Sequence, residues 1–254
     1  MTGEEGARLV LMLLDEFAPV QRGEVRGLSD REIDALELSI ARRFCVGHRA
    51  FLRHFGATPK GALNPFVYDY EFSQRDIREY YSTYTNEGWP GWAFWANIGA
   101  DPCPFHVFAQ EFSVEDPGLG FPELNRILHE SLWNHLIFSA YCQLIAPKYD
   151  DDGGALDGWL WEGRIIPLAE AAEPFAFVQQ LMMRIGFERW IDMANAQCMM
   201  RRGETVAWFG RSGSRPNTDS LQVSICGPDM REIRETWEVL ADNAGLVDYP
   251  IRSS

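Results

Sequence analysis

Basic residues are scarce in this chain, and one long interval has none. No Lys or Arg lies between Arg78 and Arg126, although seven acidic residues fall there. The whole chain has 23 Lys and Arg against 37 Asp and Glu, a formal net charge of -14. Because binding to nucleic acid or to an anionic membrane needs a positive surface, this balance argues against both. It favours a basic protein partner, which an acidic surface would attract, although acidic charge also serves solubility alone.

Cysteine clusters and long apolar runs are also missing. The five cysteines are scattered, with no Cys-x-x-Cys pair and no Cys/His set at zinc spacing, so we expect thiols in a reducing cytoplasm. No run is long enough to span a membrane. The apolar stretch near the N-terminus follows Glu4 and Glu5 and has no preceding basic residues. We therefore interpret residues 3–17 as an amphipathic helix and not as a targeting segment.

Catalytic and metal-binding motifs are absent as well. The chain has no Walker loop and no dinucleotide fingerprint. His129 and His135 lie six residues apart, whereas two zinc ligands on one helix lie four apart, and His48 and His54 repeat the six-residue spacing. Ser212 lacks the second glycine of a nucleophile elbow. The acidic loop at 150–157 lacks the ligand pattern of an EF-hand. The sequence therefore predicts no catalytic residue, no metal and no cofactor.

The most informative stretch is residues 27–56, which predicts two helices. Ser29 and Glu32 have the spacing of a capping box. Apolar residues then follow at helical spacing, at positions 33, 36, 40 and 44. Val46-Gly47 interrupts the pattern, and a shorter helix ends at Gly56, which we expect to be a left-handed C-cap.

This stretch resembles the opening of the SMI1/KNR4 (SUKH) superfamily. The matching residues of the first helix are Leu28, Ser29, Ile33, Leu36 and Glu37, and those of the second are Arg49, Ala50, Phe51, Leu52, Phe55 and Gly56. Val46-Gly47 stands where the family usually has Leu-Pro. A looser match continues to about residue 145. It comprises Gly99, Asp101 and Pro102 in a turn and Ser131, Leu132, Trp133 and Leu136 in a helix.

The resemblance implies an α+β fold, a SUKH-like antiparallel sheet flanked by helices. Many bacterial members look like immunity proteins, which bind and neutralise a toxin that is often a nuclease. The family has no shared catalytic motif, so the resemblance implies a role and no reaction.

An acidic, Gly-rich stretch at 148–158 divides the chain. We expect a SUKH-like domain at 1–147 and a C-terminal α+β domain, or an extension of the same sheet, at 159–254. In the first part the patterns predict a strand near 65–70, a helix capped by Ser73, paired strands at 93–98 and 105–108, and a helix over 123–145. In the second they predict an α-β-β-β-α order. Its elements are a helix at 174–185, strands at 196–200, 205–209 and 221–226, and a helix with Pro228 at its first position.

Two acidic groups are candidate partner contacts. They are Glu111, Glu115 and Asp116, and Asp150, Asp151, Asp152 and Asp157 with Trp159. Aromatic residues interleave with the first group; we favour a core role for them over binding anchors. For the acidic residues, a partner surface and a solvated surface both stay open.

The sequence hypothesis is a cytoplasmic immunity protein that is not an enzyme. It would inhibit a cognate toxin, a basic nuclease, stoichiometrically, by mimicking the phosphates that the nuclease holds with Lys and Arg. One alternative is a non-catalytic adaptor or scaffold with a cellular protein partner, and another is a hydrolase with a dispersed site.

Overall fold

The structure is a computed structural model. It describes residues 1–63, 70–84, 91–98, 105–111, 115–122, 126–146, 159–165, 174–193, 197–211 and 221–248. The chain forms two compact units, Met1–Leu144 and Ile145–Ser254. Each unit combines helices with an antiparallel sheet, which confirms the predicted α+β class. The described strands of the second unit make a sheet of their own and do not extend the first sheet.

Helices lead the first unit. They are α1 (Gly3–Phe17), α2 (Pro19–Glu24), α3 (Asp30–Ser39), α4 (Val46–Phe55) and α5 (Gln74–Thr83). Complete capping boxes begin α1, α3 and α5, at Thr2, Ser29 and Ser73. In each box the hydroxyl accepts a backbone N–H that the helix leaves unpaired, and an acidic side chain accepts the N–H of the capping residue. The predicted starts at Ser29 and Ser73 are therefore confirmed.

The break between α3 and α4 differs from the prediction. Ala41 has a φ of 52°, so α3 ends before it, and Phe44 packs from the connecting loop and not from the helix. Val46 and Gly47 belong to the first turn of α4, so the break between the two helices lies before them. Gly56 has a φ of -65°, so the predicted left-handed cap is wrong. Packing explains this glycine better, because a Cβ there would lie 2.9 Å from Leu28 Cδ1.

The sheet of the first unit is a five-stranded meander. Its strands are β1 (Tyr70–Glu71), β2 (Trp92–Ile98), β3 (Phe105–Gln110), β4 (Leu119–Phe121) and β5 (Arg126–His129), each antiparallel to the next. The pairing of β2 with β3 confirms the prediction. The predicted helix over 123–145 is wrong in its first part, where β5 lies. α6 (Leu132–Ala140) and a π-helical turn (Tyr141–Ile145) follow β5.

The core of the first unit lies between its helices and its sheet. α1 packs against α4 and α6. This approach is close, since a Cβ at Gly6 would lie 2.3 Å from the Trp133 ring. Phe51 of α4 contacts the rings of Phe72, Trp95 and Trp133, and all four side chains are buried.

The described residues of the second unit form a six-stranded sheet and two helices. The elements are β6 (Trp159–Ile165), α7 (Pro174–Arg184), β7 (Glu188–Met193), β8 (Gln197–Arg202), β9 (Thr205–Arg211), β10 (Leu221–Gly227), α8 (Met230–Ala244) and β11 (Leu246–Asp248). The strand order is β11-β6-β10-β9-β8-β7, all antiparallel. Both predicted helices and the three predicted strands are present, but β6, β7 and β11 were missed. Pro228 precedes the N-cap, Asp229, so its predicted place inside the helix is wrong.

The two helices of the second unit pack together, and α8 also packs on β6, β10 and β11. The core beneath them includes Met182, Phe209, Ile225, Trp237 and Leu240. The core residues that the strands contribute follow the two-residue period of a strand: Ala207 and Phe209 in β9, and Leu221, Val223 and Ile225 in β10.

Candidate partner-binding surface

The predicted contact Asp116 lies at the start of α6. Its carboxylate accepts the hydroxyl of Ser131 at 2.6 Å and the backbone N–H of Trp133 at 3.3 Å. Burial raises the pKa of the Asp116 carboxyl, while the hydrogen bond from Ser131 opposes that rise. Because a helix N-terminus carries partial positive charge and unpaired N–H groups, a carboxylate here stabilises α6. Asp116 is thus half-buried and held within the fold.

Glu115 is exposed, and its side chain forms a hydrogen bond with the start of α1. Its carboxylate accepts the backbone N–H of Gly3, at the start of α1, at 3.3 Å. Its carbonyl oxygen lies against α4, where a Cβ at Gly47 would come within 2.3 Å of it. Residues 115–117 therefore pack against the first turns of α1, α4 and α6. Glu115 remains accessible to a partner at the edge of this junction.

Glu111 is compensated by a residue from outside its acidic interval. Arg42, in the loop before α4, donates from Nε to the Glu111 carboxylate at 3.3 Å. The same guanidinium also donates to the carbonyl of Trp92 and lies 6.0 Å from the ring centre of Tyr81. The predicted uncompensated acidic region is therefore wrong at Glu111, because the sequence interval does not include the spatial neighbour.

The structure describes only some of the other residues that the sequence predicts as partner contacts. Asp150, Asp151, Asp152 and Asp157 lie outside the described residues. Trp159 begins β6, where its backbone is paired with that of Gly227. Of the aromatic residues between Arg78 and Arg126, Phe94, Trp95 and Phe108 are buried, which confirms the core interpretation for them. Of the predicted contacts Glu111, Glu115 and Asp116, Glu115 is exposed and the other two are half-buried.

The residues that carry the SUKH resemblance are joined by an ion-paired seam between α3 and α4. Glu37 is nearly buried; it accepts from Arg49 at 2.7 Å and from the backbone N–H of Phe44 at 2.8 Å. Arg49 also donates to Asp34 at 2.8 Å. One turn along, Arg53 donates to Asp30 at 2.9 Å.

This seam extends to α1. Glu4 accepts from Arg53 and lies 2.8 Å from Nε2 of His54. The hydrogen bond to His54 lowers the pKa of the Glu4 carboxyl, against a smaller opposing effect of burial. Acidic side chains of α1 and α3 therefore form ion pairs that hold α1, α3 and α4 together.

Two histidines come together that the sequence analysis separated. His129 ends β5 and His135 lies in α6, and their ring centres are 3.9 Å apart in a stacked arrangement. The prediction that they face different sides of one helix is wrong, because His129 is in a strand. Burial lowers the pKa of His129 to about 4 and that of His135 well below its ordinary value.

A third histidine, His48, is fully buried in α4. Among the residues that the structure describes, neither of its ring nitrogens has a hydrogen-bond partner, and its ring centre lies 4.4 Å from that of Phe44. Burial lowers the pKa of His48 to about 3. No signal in the sequence distinguishes this histidine from the partly exposed His54 one and a half turns later.

Thiols and possible metal ligands fit a structural role. Burial raises the pKa of Cys198 to about 12, and it also raises the pKa of Cys45. Both thiols are therefore poor nucleophiles at neutral pH. Among the side chains that the structure describes, no group of three or more His, Cys, Asp and Glu is placed to hold a metal ion.

Comparison with protein-family models, with curated proteins and with solved structures found no match. In the parts of the chain that are described, none of the helices has the length and apolar character needed to cross a membrane.

Proposed function

We propose that this chain is an immunity protein of the SUKH type. It binds a cognate basic nuclease toxin, inhibits it stoichiometrically and catalyses no reaction. The observation that carries this proposal is the α3–α4 pair, in which the residues of the family resemblance form one packed and ion-paired unit.

The resembling residues divide into a core set and a polar set. Seven are buried apolar side chains: Leu28, Ile33, Leu36, Ala50, Phe51, Leu52 and Phe55. Ser29 caps α3, and Glu37 bonds Arg49 across the pair. Each matched side chain thus has a physical role in holding this helix pair. A chance match of scattered residues would not require such roles, so this arrangement supports the family assignment.

The charge supports a basic partner. A net charge of -14 would attract a nuclease that carries Lys and Arg for phosphate binding. In the first unit the proposed contact is Glu115. In the second unit the proposed contacts are the acidic stretch 150–157 and Trp159, with the tryptophan as an anchor.

The test is co-expression with the toxin encoded beside this gene. We expect cells to survive and the two proteins to co-purify. A variant with Glu115→Lys and with Asp150, Asp151, Asp152 and Asp157 changed to Asn should lose protection. Glu24→Lys, which changes an exposed acidic residue of α2, is the matched control and should protect. Survival of cells that carry the charge-altered variant would reject this surface, and death with the unaltered chain would reject the function.

A further inference from the structure

Histidine is distributed unevenly between the two units. All five histidines of the chain, at positions 48, 54, 106, 129 and 135, lie within Met1–Leu144, and the second unit has none. Histidine is the side chain whose ordinary pKa, about 6.5, lies in the mildly acidic range. A mildly acidic pH therefore acts on histidines of the first unit alone.

His48 is held where a proton would be costly. Its ring is fully buried, and its nitrogens have no hydrogen-bond partner within the described part of the chain. The charged groups on neighbouring elements are bonded elsewhere: Glu37 to Arg49, Glu111 to Arg42, and Glu115 to the N–H of Gly3. Cys45, three residues before it, carries a thiol whose pKa burial raises, so it is uncharged at neutral pH. An imidazolium formed at His48 would meet no unengaged counter-charge among these groups.

Protonation is also unfavourable at the stacked rings of His129 and His135, for a different reason. Because the ring centres of His129 and His135 are 3.9 Å apart, a proton on one ring places positive charge against the other. Trp95 lies edge-on to His135 on a further side. The nearby carboxylates are Asp116, which bonds the start of α6, and Glu130, which is exposed. On α1, which packs against α6, the charged groups are Glu4, Glu5, Arg8, Asp15 and Glu16, and all are exposed.

We propose that the first unit is an acid-sensitive module, which opens in mildly acidic solution while the second unit keeps its structure. The imidazoles of His48, His129 and His135 act as the sensor. This inference concerns the fold alone and does not depend on the proposed toxin.

The direction and the size of the change in folding stability with pH follow from proton linkage. The unfolded chain takes up protons on these histidines as the pH falls through about 6.5, whereas the native rings, with lower pKa values, do not. The folded state therefore loses stability between that pH and the native pKa values of about 3 for His48 and about 4 for His129. Between pH 7 and pH 5 each such histidine lowers the folding equilibrium constant by about 25-fold. His48 and His129 together would lower it by about 500-fold, and His135, whose pKa burial also lowers, adds to this fall.

Hydrogen exchange of the full chain, read by mass spectrometry at pH 7 and pH 5, tests the proposal. Protection factors, which are corrected for the intrinsic effect of pH on exchange, are compared for peptides of β2, β3 and α6 and for peptides of β9 and β10. We expect a fall of about 500-fold or more in the first set and of less than about 10-fold in the second. An equal fall in both sets, or none in the first, would overturn the proposal.

Histidine variants distinguish the effect of these imidazoles on the pH dependence from other effects of acid. His48→Leu should reduce the fall in the first unit by about 25-fold. His54→Gln changes a partly exposed histidine and should leave the fall unchanged. His129→Gln provides an independent reading, should the leucine variant fail to fold. If His48→Leu and His129→Gln both fold and both keep the full pH dependence, the buried imidazoles are not the sensor.

Discussion

Asp116→Ala distinguishes a structural carboxylate from a partner contact. In the fold this side chain accepts two hydrogen bonds at the start of α6, from the Ser131 hydroxyl and the Trp133 N–H. A hydrogen bond to a charged group contributes about 1.5–3 kcal/mol. Burial outweighs these bonds in its effect on the pKa of the Asp116 carboxyl, which is raised. The alanine variant would, however, leave both donors without their acceptor, and an unsatisfied buried donor costs about 1–3 kcal/mol. We therefore expect a loss of about 3 kcal/mol in the free energy of unfolding.

A loss of that size is measurable. For a domain of this length, 1 kcal/mol lowers Tm by about 2–4 °C, so Asp116→Ala should lower the Tm of the first unit by about 6–12 °C. Urea denaturation at pH 7, followed by circular dichroism and tryptophan fluorescence, gives the free energy directly. Asp116→Asn retains one acceptor oxygen and the side-chain volume, and we expect it to lose about half as much stability.

Glu115→Ala is the matched control, because Glu115 is exposed and makes one bond, to Gly3. It should cost less than about 1 kcal/mol while weakening binding to a toxin. The reasoning is refuted if Asp116→Ala unfolds within about 0.5 kcal/mol of the unaltered chain. If that variant is stable and also loses toxin binding, Asp116 belongs to the contact surface.

Two further substitutions test the packing of the first unit. Arg49→Ala should cost about 3 kcal/mol by urea denaturation, because it leaves the nearly buried carboxylate of Glu37 without its ion partner; a cost below 1 kcal/mol would show that the seam is not structural. Gly6→Ala should cost at least about 1–3 kcal/mol, since its Cβ would lie 2.3 Å from the Trp133 ring. Gly23→Ala, where no atom lies within 4 Å of the new Cβ, should be neutral or stabilising. Equal thermal stability of the two alanine variants would contradict the close approach of α1 and α6.

Local chemistry explains what the sequence predicted well. The capping boxes at Ser29 and Ser73 involve residues three apart, so spacing alone identifies them. The hairpin of β8 and β9 is similarly local, with Gly203 at a φ of 59° in its turn. The α3–α4 pair was expected from one contiguous stretch.

Non-local pairing explains what was missed. An apolar run such as that before residue 129 fits a buried helix or a strand by periodicity alone, so the sequence predicts a helix where β5 forms. The pairing of β6 with β10 joins residues about 60 positions apart, which a linear pattern does not reveal. The same limit applies to the candidate site: Arg42 reaches Glu111 across 69 positions, and Asp116 reaches Trp133 across 17. Both acidic residues therefore resembled unpaired surface charge in the sequence.

Stoichiometric inhibition without catalysis is the central claim, and an activity titration of the purified neighbouring toxin tests it most directly. Nuclease activity is measured at a fixed toxin concentration, well above the dissociation constant, while this protein is added in steps. The account predicts a linear loss of activity that reaches zero at one molar equivalent and does not change with incubation time. Activity that persists at a large excess, or inhibition that grows with time at a substoichiometric dose, would contradict it.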